Sequence, residues 1–62
     1  MWHFKDKENG IEITGTREEI KEQLNINVVY FEDRDEEELF DPYQPSHWAI
    51  IVREYNLVGN DD

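Results

Sequence analysis

Trp2-His3-Phe4-Lys5-Asp6-Lys7-Glu8-Asn9-Gly10-Ile11-Glu12-Ile13-Thr14-Gly15-Thr16-Arg17-Glu18-Glu19 is the stretch on which the fold turns. Two alternating segments flank Asn9-Gly10, the pattern of a β-hairpin. The loop length follows from register. A two-residue loop would set Asp6 opposite Ile13 and Glu8 opposite Ile11, pairing acid with apolar. A four-residue loop, residues 7–10, sets Phe4 opposite Ile13 and Lys5 opposite Glu12, pairing like with like on each face, and is the expected one. Trp2, Phe4, Ile11 and Ile13 then face the core. Gly15 ends the hairpin, and Thr16-Arg17-Glu18-Glu19 is a capping box: the Thr16 hydroxyl and the Glu19 carboxylate satisfy amides left free at a helix start.

A helix over residues 17–24 follows. Ile20 and Leu24 lie one turn apart and face inward, while Glu18, Glu19, Lys21 and Glu22 face water. With two anchors, so short a helix depends on packing against the sheet. Residues 26–31 are β-branched and aromatic and read as a strand. Residues 46–55, with Ala49-Ile50-Ile51-Val52 apolar on both faces, read as a longer, central strand. The expectation is an α+β fold: one small domain over residues 1–62 in the order ββαββ, with one short helix packed on an antiparallel sheet. Residues 32–45 are an acidic loop. Within it Asp35 caps a helical turn through Glu38, and Leu39 and Phe40 pin that turn to the body. Leu57 and Val58 add an edge segment, and residues 60–62 fray.

Composition bounds the rest. The 62 residues hold 16 acids against 6 bases, a net charge of −10, with 37% hydrophobic and 13% aromatic residues. The eight rings supply enough burial to fold despite the charge. A domain this small buries only about 60% of its unfolded surface, so homodimerisation would help its core. There is no cysteine, hence no disulfide framework or thiolate metal site, and a reducing cytoplasmic setting is expected. No apolar stretch approaches the roughly 20 residues of a membrane span, and Met1-Trp2-His3-Phe4-Lys5 lacks the hydrophobic segment of a signal peptide.

Charge is unevenly placed. Residues 1–31 carry six acids and four bases; residues 32–62 carry ten acids and two bases. Direct nucleic-acid binding is excluded, because it needs a cationic face that neutralises phosphates. The acidity points to basic partners instead. Glu32, Asp33, Asp35, Glu36, Glu37, Glu38 and Asp41 meet only Arg34, and such a run costs self-repulsion that a soluble domain need not accept at that density. A solvated loop that keeps the protein soluble is the plain reading; an anionic surface shaped for a cationic groove is the functional one. Glu18, Glu19 and Glu22 form a second patch, with helical carboxylates roughly 5–6 Å apart against one charge per ~1.7 Å of duplex DNA. Tyr43, between two prolines, is the candidate aromatic anchor.

Other chemistries find little support. Asp33, Asp35 and Glu37 alternate like the start of a calcium loop, but the sixth position is Glu38 instead of Gly and the twelfth is Gln44 instead of Glu. His3 and His47 have no cysteine partners, and His47 reads as a surface or edge residue. On a strand, adjacent Ser46 and His47 would point to opposite faces and form no dyad. No catalytic residue, metal or cofactor is assigned.

In size, charge and layout the chain resembles the bacteriophage DNA-mimic inhibitors, small acidic α+β proteins that block host DNA-binding proteins, among them the nucleoid protein HU, uracil-DNA glycosylase and restriction enzymes. The resemblance covers the whole chain and rests on no diagnostic motif. Locally, Tyr43-Gln44-Pro45-Ser46-His47-Trp48-Ala49-Ile50-Ile51-Val52 looks like the aromatic, Pro, Trp-Ala, aliphatic strand of the uracil-DNA glycosylase inhibitor, with two extra residues between Pro45 and Trp48. That family's Glu-Ser-Ile segment has no counterpart, since Ser46 is the only serine. The resemblance implies a non-enzymatic inhibitor in the host cytoplasm whose first target is HU, with a DNA repair or restriction enzyme as the alternative, and competition for the target's DNA-binding surface. A competing class is an immunity-type protein that caps a basic nuclease.

Overall fold

The computed structural model describes residues 1–61. The chain runs β1 (Trp2–Asp6), β2 (Ile11–Gly15), α1 (Arg17–Gln23), β3 (Val28–Phe31), β4 (Glu36–Leu39), α2 (Pro45–Tyr55) and β5 (Val58–Gly59). The α+β class is as expected. The strands form two antiparallel sheets, one of three strands in the order β2-β1-β5 and one hairpin of β3 and β4.

The opening hairpin takes the four-residue loop, with Phe4 opposite Ile13 and Lys5 opposite Glu12. Gly10 sits at φ +69° in the loop, a left-handed conformation that glycine adopts without steric cost. The Asp6 carboxylate accepts the Glu8 N–H at 3.0 Å and so braces the turn. Trp2, Phe4 and Ile13 pack against the core. Ile11 does not: it is exposed at the loop end of β2.

The capping box forms on both sides, the Thr16 hydroxyl accepting the Glu19 N–H at 3.2 Å and the Glu19 carboxylate accepting the Thr16 N–H at 3.0 Å. Helix α1 lies on β1 and β2 and buries Ile20 completely.

Residues 46–55, expected as a central strand, belong to helix α2. Pro45 occupies its first turn, where a missing N–H costs nothing, and Asn56 ends it in a left-handed cap at φ 53°. Burial falls on His47, Trp48 and Ile51, with Tyr55 half-buried, while Ala49, Arg53 and Glu54 are exposed. That is a 3.6-residue period. The run from Ala49 to Val52 hid it, since a short apolar run has no periodicity of its own. The described residues therefore form two helices where one was expected, and α2 packs on β3.

The acidic loop over residues 32–45 is also corrected. In place of the expected helical turn at residues 35–38, Asp35 ends a tight loop and Glu36 to Glu38 belong to strand β4, paired with β3 from Val28↔Leu39 to Phe31↔Glu36. Leu39 faces solvent, while Phe40 is buried as expected.

The core is one cluster: Ile20, Ile26, Val29, Phe31, Phe40, Trp48, Ile51 and Leu57. The chain ends close on each other. β5 pairs with β1 through Trp2↔Gly59 and His3↔Val58. Gly59 has φ +137°, and a Cβ there would lie 2.1 Å from the Met1 carbonyl oxygen, so only glycine permits this approach. Asn60 and Asp61, expected to fray, are tied down: the Met1 amino group donates to the Asn60 carbonyl at 2.8 Å, and Trp2 Nε1 donates to Asp61 at 2.7 Å. Asp62 lies outside the described residues.

Candidate functional site

The acidic run is a hairpin with two unlike faces. Residues opposite each other on paired strands share a face. Val29 and Phe31 are buried, so their partners Glu38 and Glu36 lie on the inner face; Val28 and Tyr30, with partners Leu39 and Glu37, form the outer one. The loop at residues 32–35 has four residues and closes with Asp35 at φ 51°, repeating the geometry of the first hairpin with aspartate in the place of glycine. Asp tolerates this conformation better than most residues because its side chain bonds locally. Here it accepts the Tyr30 hydroxyl. That hydrogen bond, then burial and the charges of Glu32 and Glu37, hold the Tyr30 phenol above its ordinary pKa.

Arg34 serves the inner face. Its guanidinium carbon lies 4.1 Å from the Phe31 ring centroid, and Nη2 pairs with Glu38 at 3.1 Å. Nε lies 3.9 Å from Glu36. Arg34 and Arg53, the two bases of the second half, line one depression beside Phe31, Ser46 and Ile50. Glu32, Asp33 and Glu37 form no side-chain hydrogen bond or ion pair among the described residues.

His47 is the residue that sequence reasoning misplaced. It is buried on α2 between Phe31 and Phe40. Its Nδ1 accepts the Asp41 N–H at 3.1 Å, which leaves the ring proton on Nε2. That nitrogen donates to Glu38 at 3.1 Å. Glu38 is thus a structural link between β4 and α2 as well as a surface charge. The usable signal was helical: His47 and Ile51 stand four apart.

The second patch divides. Glu19 is spent on the helix cap. Glu18 and Glu22 line a groove of about 540 Å³ with Asp41, Tyr43, Lys21 and Pro42, so three expected carboxylates and the expected aromatic do converge. Tyr43 is 59% exposed. Partial burial and the charge of Glu18 raise its phenol pKa, while Asp41 accepts the Tyr43 N–H at 2.9 Å.

Beside this groove Arg17 sits among three rings, its guanidinium carbon 6.0 Å from Trp2, 6.0 Å from Tyr43 and 5.1 Å from Trp48. Nη1 donates to the Pro42 carbonyl at 2.9 Å, and Nε donates to Asp61 at 2.8 Å. The Trp48 indole N–H is buried without an acceptor among the described residues. That costs about 1–3 kcal/mol, offset by the ring's contacts with Trp2 and Phe40. Nothing in the sequence marked Arg17, because its partners lie 25 and 44 residues away.

Such a surface suits noncovalent recognition: carboxylates accept hydrogen bonds and attract cations at range. Among the described residues no group of three or more His, Asp or Glu side chains is placed to hold a metal ion, and no helix is long and apolar enough to cross a membrane. Comparison with known proteins finds no matching family model, curated protein or solved structure.

Proposed function

We propose that this chain is a DNA-mimic inhibitor: it binds the DNA-binding surface of a basic host protein, with HU as the first target, and blocks DNA binding without catalysis. The observation that carries the reading is the β3–β4 hairpin, which holds Glu32, Asp33, Asp35, Glu36, Glu37 and Glu38 on two paired strands and their loop against a single arginine. Carboxylates on a paired scaffold keep a fixed pattern, which a flexible acidic tail does not. The alternative target, uracil-DNA glycosylase, drew on a likeness between residues 43–52 and a strand. Most of that segment is helix here, which removes the strand likeness that supported the alternative.

The test is an affinity pull-down from bacterial lysate with the immobilised protein, eluted with duplex DNA and then with salt. Recovery of HU in the DNA eluate supports the reading. A partner that DNA cannot displace favours the immunity-type protein, and an empty eluate favours a structural role.

A further inference from the structure

The outer face of the second hairpin is apolar where a solvated hairpin would be polar. Leu39 is 82% exposed, and its cross-strand partner Val28 is 46% exposed. Tyr30, two residues along β3 on the same face, is 45% exposed. Among the described residues neither strand pairs with a further strand. Adjacent large apolar side chains left in water on a sheet face mark an interaction surface more strongly than the same residues scattered singly.

Charge selects what covers this face. Glu37 stands opposite Tyr30 within it, and Asp35 holds the Tyr30 hydroxyl at its edge. Arg34 and Arg53 line a depression that Tyr30, Glu32 and Asp33 share, so three carboxylates, counting Glu37, surround the face on this side. A second copy carries the same net charge of −10, so seating it here works against the repulsion of two strongly anionic chains. A cationic protein surface meets the opposite condition.

Resting on the reading above, we propose that this outer face is the contact surface: Val28, Tyr30 and Leu39 enter an apolar recess on the DNA-binding protein, and Glu37 and Asp35 meet the Lys and Arg side chains around it. The two parts do different work. Charge steers the encounter and sets the on-rate, while the desolvated apolar centre sets the residence time. The hydrogen bond from Tyr30 to Asp35 positions the ring before binding, which lowers the entropy lost on contact.

The test measures affinity for purified HU at several salt concentrations, for the wild type, Val28→Thr/Leu39→Ser, and Ile11→Thr as a control that removes a comparable exposed apolar group from the other sheet. Amide shifts of the labelled wild type with HU map the contact without any substitution. The hairpin double variant is expected to bind about tenfold more weakly with an unchanged salt slope, with Ile11→Thr at wild-type affinity and shifts centred on Val28, Tyr30, Glu37 and Leu39. Wild-type binding with an unaffected double variant, or shifts centred elsewhere, overturns this assignment and leaves the mimic standing. Wild-type dimerisation abolished by the double variant overturns it in favour of a self-contact. No wild-type binding to HU at all removes the mimic reading for that target and this surface with it.

Discussion

Arg17 and Asp61 join the start of α1 to the end of the described chain by a two-point ion pair, Nε and Nη2 each meeting one carboxylate oxygen. Bidentate geometry of this kind is stronger and more directional than a single contact. The Arg17 guanidinium, then the Trp2 indole N–H, hold the Asp61 carboxyl at about 2.

Asp61 therefore makes stability pH-dependent. Its folded pKa lies below the unfolded value of about 3.9, so its contribution is fully present above that value and fades as pH falls toward about 2. Asp61→Asn should be less stable than wild type at pH 7, with the gap closing between about pH 4 and pH 2. Urea unfolding at each pH measures it. A gap independent of pH would mean that the Asp61 charge does not contribute to stability.

His47 ties α2 to Glu38 of β4 and to Asp41 by polar bonds beside an apolar core, so truncation leaves the Asp41 N–H without its acceptor and opens a cavity between Phe31 and Phe40. His47→Ala should lose about 2–4 kcal/mol. His47→Phe should recover the packing and retain the polar part of the loss. Thermal unfolding of both variants separates the two contributions, and equal stabilities would show that the ring's volume is not what matters.

The conformation of residues 45–55 is tested by neighbouring positions. In the helix Ile51 is 2% exposed, whereas Ile50 is half-buried. Ile51→Ala should cost about 2–5 kcal/mol and Ile50→Ala distinctly less. A central strand would make the two costs alike. Alanine favours helix, so propensity softens both losses equally.

This segment also shows why some of the fold was legible and some was not. The first hairpin and the capping box are local devices with their own residues, Asn9-Gly10 and Thr16-Glu19, and each was readable in place. The second hairpin uses the same four-residue loop, but Asp35 fills the left-handed position, so no glycine announced it. Helix α2 carried legible end signals in Pro45 and Asn56, outweighed by its β-branched centre. The acidic residues of the candidate site were plain from charge. Their division between an inner face held by Arg34 and His47 and an outer apolar face depends on strand pairing, which charge does not encode.

The turn at Asp35 can be probed separately from any partner. At φ 51° a β-branched residue is strained, so Asp35→Val should lose about 1–2 kcal/mol. Asp35→Asn, which tolerates the conformation and still accepts the Tyr30 hydroxyl, should match wild type. Denaturant midpoints decide it. A Val variant as stable as wild type would mean that the loop relaxes to another turn.

Electrostatic binding predicts a dependence on salt that packing alone does not. Glu36→Gln/Glu37→Gln removes one charge from each face of the hairpin and spares Glu38, whose carboxylate holds His47 and Arg34. The fold should be unchanged or slightly more stable, since self-repulsion falls. Affinity for HU should drop about tenfold or more at low salt, and the difference should shrink toward 1 M, where the screening length is about 3 Å. A double variant that binds like wild type at low salt would show that these carboxylates are solvated charge and no substitute for phosphate.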